Sequence, residues 1–515
     1  MIRSFLTVSS GTLASRLLGF LRDSMIAGLL GTGAVADAFL VALQFINVVR
    51  RLLTEGALNA ALVPAWMRLR DTEGAMAAAA FAGRVLGTIS AALLAATLLI
   101  GLLMPPIIAI LAPGFAGEET FRLAVNDARL MLPYLAFAGP STVLLALSTA
   151  QGRFVLPAFS PLLFNIALIA AMIALLLAHA QAGLVASALA ATVGVAGLLQ
   201  LLILAVRRHR ETIATPLRLS LDAEMRGFFA RAIPGMVASA GPQLLMVAGA
   251  IIASSAPSAV SWLYFANRLI ELPLGIVGVA MGTVLIPELT RAVRGGDGDA
   301  IAHAQSRALE LAVGLALPAM LGLIVLSAPI VRLLFEHGAF TAADTEATSQ
   351  ALILLAFGLP AQVLAKALSP AFFAREDTLT PMLATLKGFV FAIAAAILFG
   401  HYFGVAGIAA ALAFGAWSNV SSLIRQGGPT FGLSLDAAAR RRLPRIAAAA
   451  LAMGAVLWFA ATFALPLTHG VVRAITLLAL IVGAVALYSL LLSTLGVTGW
   501  RETVAALRHA GSQHA

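Results

Sequence analysis

The chain has 515 residues, 61% of them hydrophobic and 11% charged, with a mean hydropathy of +0.99. A soluble domain carries about a quarter charged residues, so this composition excludes one, and the absence of cysteine excludes disulfides, thiol catalysis and cysteine metal sites. The net charge of +10 comes from 33 basic and 23 acidic residues, yet the cations lie mostly in short gaps between apolar runs, as membrane orientation requires, and only Lys366 and Lys387 are lysines.

Apolar runs of about 20 residues, the length of helix that crosses a bilayer, recur to the end of the chain. They are continuous and not alternating, which excludes a β-barrel. The expected fold class is therefore an all-α polytopic membrane protein with about 14 transmembrane helices. In chain order they are expected near 5–30, 36–64, 78–104, 124–150, 157–179, 183–206, 227–253, 259–289, 305–328, 346–372, 381–401, 405–425, 445–466 and 471–495. The N-terminus does not read as a cleaved signal peptide, because Arg16 interrupts the first apolar run and no small-residue cleavage site follows it.

The first two runs, residues 13–64, break near Gly31-Thr32-Gly33 and carry Arg16, Arg22, Asp23, Asp37, Arg50, Arg51 and Glu55. An Arg at a bilayer centre costs about 3 kcal/mol on insertion scales, so such residues face protein or a water-filled cavity. This stretch reads as the wall of a cationic cavity. Arg51 and Glu55, four apart, are expected to pair on one helix face, Asp23 to share a face with Arg16, and Asp37 to hold another arginine. Structural ion pairs between helices and arginines snorkelling to the interface are the plain alternatives. At positions matching the first-half charges the second half is mostly apolar, but Arg268 and Glu271 lie three apart on one face. Arginine suits phosphate because its planar fork donates two parallel hydrogen bonds.

Arginines cluster after the even-numbered runs, for example Arg68 and Arg70, Arg207, Arg208 and Arg210, and Arg440, Arg441 and Arg442. The other gaps hold few cations: 336–346 carries Glu336, Asp344 and Glu346 with no Lys or Arg. The positive-inside rule then places both termini in the cytoplasm. The chain also repeats. Ala57–Pro64 resembles Ala280–Pro287, Pro106-Ile107-Ile108 resembles Pro329-Ile330-Val331, and Leu135-Ala136-Phe137 with Pro140 resembles Leu355-Ala356-Phe357 with Pro360, all at an offset near 220 residues. An even number of helices per copy gives a parallel repeat, a transporter architecture with its site between the copies. The expected division is a six-helix lobe over 1–220, a second over 221–430, and an arginine-rich interfacial connector with two further helices over 431–515.

No GxxxxGK[ST] loop or HExxH is present, and the eight histidines lack ligand spacing. No catalytic site, metal or cofactor is expected.

The stretches SRLLGFLRD (15–23), ADAFLVA (36–42), NVVRRLLTEGALNAALVP (47–64) and YFANRLIELPLGIVGVAMGTVLIP (264–287) resemble signature segments of the MurJ (MviN) family. These are lipid II flippases of the multidrug/oligosaccharidyl-lipid/polysaccharide exporter superfamily. The resemblance runs over nearly the whole chain. It implies a transporter, not an enzyme, that carries the peptidoglycan precursor lipid II from the cytoplasmic to the periplasmic leaflet of the bacterial inner membrane by alternating access. It matches the family's cavity arginines to Arg16, Arg22, Arg50 and Arg268 and its cavity acids to Asp37 and Glu55. With Arg51 these form the expected substrate-binding set. It implies that the last two helices form a groove for the polyprenyl tail. Some relatives place a sodium ligand, an Asp, on the seventh helix; residues 227–253 contain no acidic residue, which argues against sodium coupling here. The implied partners are lipid II, membrane lipids, and cell-wall synthesis or division proteins, with no nucleic acid. The alternatives are a flippase for another undecaprenyl-pyrophosphate-linked glycan, a multidrug exporter of the same superfamily, and a non-transporting scaffold. The arginines argue against the last two.

Overall fold

The computed structural model describes the chain except residues 1, 55–56, 154, 209–213, 215–216, 221, 223–224, 228–229, 231–240, 281–297, 374, 376, 433–434 and 498–515; for some residues within helices, such as 2–9 and 51–54, it describes the backbone alone. Among the described residues there are eighteen α-helices and no strand: α1 (Ile2–Leu30), α2 (Ala34–Thr54), α3 (Ala57–Thr72), α4 (Ala75–Leu102), α5 (Met104–Leu111), α6 (Glu119–Met131), α7 (Pro133–Ala150), α8 (Val155–Leu177), α9 (Ala182–Arg208), α10 (Gly241–Ala253), α11 (Ala259–Ala280), α12 (Gly298–Val325), α13 (Ser327–Phe335), α14 (Ala342–Ala356), α15 (Leu359–Phe373), α16 (Leu379–Phe431), α17 (Ala437–Ala464) and α18 (Gly470–Thr494). Among the described residues, eight spans are long and apolar enough to cross a membrane, or nine if the bent pair α14–α15 counts as one. The protein is a multi-pass helical membrane protein.

Several expected helices are segmented, each at an identifiable residue. Within the run expected over 36–64 the described helices are α2 and α3, and α3 continues past Pro64 to Thr72. The run over 124–150 is two helices, with Pro133 opening α7. The run over 346–372 bends by 40° between α14 and α15, at the turn Phe357-Gly358; Pro360, which has no N–H to donate, falls in the first turn of α15, where no such donor is needed. In α16, Gly404 sits at φ 57°, ψ −138° and breaks the helix. A Cβ on Gly407 would strike the Phe399 carbonyl, so the chain doubles back there and the two expected helices meet as a hairpin.

The element order repeats. Met104 and Glu119 open α5 and α6; Ser327 and Ala342 open their counterparts α13 and α14, each 223 residues later. The Pro64 motif's expected second copy ends at Pro287, and residues 281–287 lie outside the described residues.

By contacts the chain forms two compact units: Met1–Phe265 with Phe335–Asp344 and Ala396–Ile408, and Ala266–Leu334 with Thr345–Ala395 and Ala409–Ala515. The first has a core of Leu62, Trp66, Phe81, Val85, Val143, Leu147 and Leu204. In the second, α17 and α18 pack on α12 through Ala449, Ala450, Met453 and Tyr488, and the Tyr488 hydroxyl donates to the Gly314 carbonyl at 2.8 Å. Apolar helices gain nothing from leaving lipid for one another, so small residues and polar contacts of this kind hold them together.

The arginine-rich connector is helical: residues 440–445 form early turns of α17. Asp436 caps this helix, accepting from the Ala439 N–H at 2.6 Å, while His303 Nδ1 lies 3.1 Å from its other oxygen. The Ala439 N–H, and after it His303, hold the Asp436 carboxyl below the usual carboxylate range.

Two stability outcomes follow. Asp436→Ala is expected to cost about 1 kcal/mol at neutral pH in thermal unfolding of the purified protein. Because its folded-state pKa is lowered, that contribution is present above the ordinary Asp value and is lost as pH falls through the lowered one, so wild type and variant should converge in acid. Gly114→Ala places a Cβ 2.4 Å from the Ser254 backbone, whereas Gly183→Ala meets nothing within 4 Å. The first should lower the unfolding temperature sharply. The second, in α9, should leave it unchanged or raise it by up to about 1 kcal/mol of stability.

Candidate functional site

The polar centre of the first unit is built on α1. Arg22 is 7% exposed and Asp23 fully buried. Arg22 Nε and a terminal nitrogen donate to Asp23 Oδ1 at 2.9 and 2.6 Å. Its other terminal nitrogen donates to Asn165 Oδ1 at 3.1 Å. Neighbours on a helix point apart; the length of the arginine side chain lets it curl back onto Asp23. Asn165, on α8, donates its amide to the Ser15 carbonyl at 3.1 Å, which fixes which end faces Arg22. Phe164 lies 5.6 Å from the guanidinium carbon, a cation–π contact. The Tyr264 hydroxyl of α11 lies 3.5 Å from Asp23 Oδ1. A guanidinium has five N–H groups, more than these three bonds use.

Beside this centre stands an aromatic cluster. Phe265 and Phe335 are fully buried, with ring centroids 5.1 Å apart. Phe20 stacks on Phe335 at 5.9 Å, and Phe340 meets Phe265 edge-on at 5.6 Å. Four rings from α1, α11, α13 and the segment after α13 thus fill one spot with apolar surface.

At the N-terminal end of α11 two carboxylates converge. Asp37, on α2 and 2% exposed, accepts from the Ser261 N–H at 2.9 Å and from the Ser261 hydroxyl, with the Ser258 N–H also directed at it. These are first-turn amides with no partner inside their own helix. Asp37 supplies in trans what a capping residue supplies locally, at the positive end of the helix dipole. Ser258 is held at φ 63°, a left-handed conformation uncommon outside glycine. Asp344, 7% exposed, accepts from Trp262 Nε1 at 2.9 Å, from the Thr32 hydroxyl at 2.6 Å, and from the Thr341 N–H and hydroxyl at 2.8 and 2.7 Å. The Ala339 N–H donates to the Gly28 carbonyl at 2.8 Å. A Cβ on Gly28, Gly31 or Gly338 would strike a neighbouring chain segment.

The expected site residues divide accordingly. Arg22 and Asp37 are buried in the first unit, but Asp37 binds serines and not the expected arginine: the first-turn amides of α11 meet its charge. Asp23 pairs with Arg22. Arg16 and Arg50 are half-buried and engaged. The side chain of Arg51, and all of Glu55, lie outside the described residues, as does their expected pairing. Arg268, in the second unit, pairs with Glu271 at 2.7 Å, as the three-residue spacing anticipates. Sequence reasoning missed Asn165, Tyr264, Ser261, Trp262 and Thr32. It counted Asp344 only as loop charge, although Thr341-x-x-Asp344 before an apolar run is a capping-box signal.

The chain matches the family described as "Lipid II flippase MurJ" over residues 26–495. It is 36% identical over 499 residues to a probable lipid II flippase MurJ of Rhizobium meliloti, covering 95% of this chain and 92% of the relative. It is 31% identical to one of Vibrio cholerae, covering 96% of each. Among solved structures, a lipid II flippase MurJ in an inward closed conformation superposes with a TM-score of 0.76 at 23% identity, over 96% of this chain and 99% of that one. A multidrug resistance MATE transporter of the MOP superfamily gives 0.65 at 16% identity, over 86% and 98%. At such identities the structural likeness shows the fold alone. The sequence matches show the family: this chain belongs to the MurJ lipid II flippases.

Proposed function

We propose that this transporter carries lipid II, a lipid-linked precursor for peptidoglycan, from the cytoplasmic to the periplasmic leaflet of the inner membrane by alternating access. Arg16, Arg22, Arg50, Arg51 and Arg268 receive the pyrophosphate, and Glu55 balances their charge. Asp37 acts through α11, whose N-terminal end it holds and which carries Arg268. The polyprenyl tail stays in the bilayer, along α17 and α18. Both termini face the cytoplasm, by the arginine distribution. The observation that carries this reading is Arg22: a buried guanidinium steadied by Asp23 and Asn165, with more N–H groups than these bonds use. A multidrug exporter for organic cations has no use for it. An inside-negative potential favours outward movement of the anionic head by about 2.3 kcal/mol per charge per 100 mV.

Complementation of a bacterium depleted of its lipid II flippase tests this, alongside flipping in reconstituted vesicles. Arg268→Ala is expected to insert normally and to lower flipping by about tenfold or more. Arg22→Lys should fall well short of wild type, since a point charge does not replace the fork. Wild-type rates in both variants would refute the arginine site. Collapsing the potential should slow wild-type flipping; an unchanged rate would refute the electrical drive. Equal flipping of another polyprenyl-pyrophosphate glycan would broaden the substrate.

A further inference from the structure

We propose that Asp344 is the bolt of a side-chain latch that holds the end of the first unit formed by residues 28–37, 254–262 and 337–344 in its closed arrangement. The two oxygens of this carboxylate do different work. Oδ2 takes the N–H and hydroxyl of Thr341, three residues earlier. That is the local capping box of α14, and a purely structural Asp would stop there. Oδ1 instead takes two donors from distant parts of the chain: the Thr32 hydroxyl, 312 residues away, and the Trp262 indole, 82 residues away. Both bonds are charge-assisted and short, in a site where Asp344 is 7% exposed.

The donors are placed for this. Thr32 sits between Gly31 at φ +61° and Gly33 at φ +113°, conformations that L side chains rarely adopt. This turn between α1 and α2 presents the hydroxyl to Asp344. Trp262 follows Ser261, which is gripped by Asp37. Two carboxylates from α2 and α14 thus hold adjacent residues of α11, while α1 is tied to the same oxygen through Thr32. These segments cannot part without stripping Oδ1 of both donors in a poorly hydrated site. Asp344 therefore sets how often this end opens. The purpose of that opening, release of the head group, rests on the alternating-access reading; the latch itself does not.

The cysteine-free chain permits a direct test. Ala36, 1% exposed at the start of α2, becomes a lone reporter as Ala36→Cys. Its maleimide labelling rate is measured on purified full-length protein in lipid nanodiscs, with thermal unfolding of the same samples. Thr32→Val and Trp262→Phe each remove one distant donor and leave the Thr341 capping box intact. Each is expected to raise labelling by about tenfold, and their combination further. Asp344→Ala added to that combination should change labelling little, since its distant bonds are already gone. Unchanged labelling in Thr32→Val and Trp262→Phe, with unfolding temperatures near wild type, would overturn the latch. An increase confined to Asp344→Ala, absent from both Thr32→Val and Trp262→Phe, would overturn it too, leaving Asp344 a helix cap. Lipid II flipping is followed in vesicles made from the same proteins. If the wild-type protein flips no lipid II while the two variants still label faster, the transport reading falls and the latch stands.

Discussion

Buried carboxylates in a membrane protein need donors, and at one end of the first unit the donors are the start of a single helix. Residues 258–262 give Asp37 two backbone N–H groups and a hydroxyl, and give Asp344 an indole N–H. The left-handed Ser258 directs its backbone N–H at Asp37. From this helix start the other features follow in order. Phe265 packs into the aromatic cluster one turn on, and Tyr264 reaches Asp23 beside it. Arg268 lies one turn further along. The start of this helix therefore carries both the clasped end and one ring of the aromatic cluster.

The aromatic plug complements the polar clasp. Hydrogen bonds define a closed geometry but let water in where they are imperfect. Rings packed at 5 to 6 Å exclude water and ions by filling space. The two devices act on the same end of the unit, one by directional bonds and the other by packing.

The helical class and most element positions were legible in the sequence, because apolar runs of bilayer length have few other meanings. The repeat was legible too, through Pro106 and Pro329, and it reappears as a long helix followed by a short one in each copy. The breaks were less so. The boundary at Pro133 and the bend before Pro360 depend on how far the neighbouring helix tolerates the ring, which hydropathy does not record. The site was half legible. Arginines inside apolar runs stand out by their cost, so Arg22 and Arg268 could be named. Their partners could not: Asn165, Tyr264 and Ser261 are ordinary residues made special by tertiary approach. Asp37 shows the limit most plainly. Counting charges sends an acid towards a base, whereas the backbone amides at a helix start compete as donors and leave no mark in composition.

The bond between Asp37 and Ser261 spans 224 residues. At a synthesis rate of roughly 5–20 residues per second, the carboxylate leaves the ribosome tens of seconds before its partner. During that interval the nascent first half holds an uncapped acid, and a turn around Thr32 with nothing to grip. Those groups must be sheltered by the insertion machinery or by water until the later helix arrives. A severed first half, made alone, would meet membrane quality control with that acid still exposed. The two copies of the repeat are thus committed to a single biogenesis even though each resembles the other in outline.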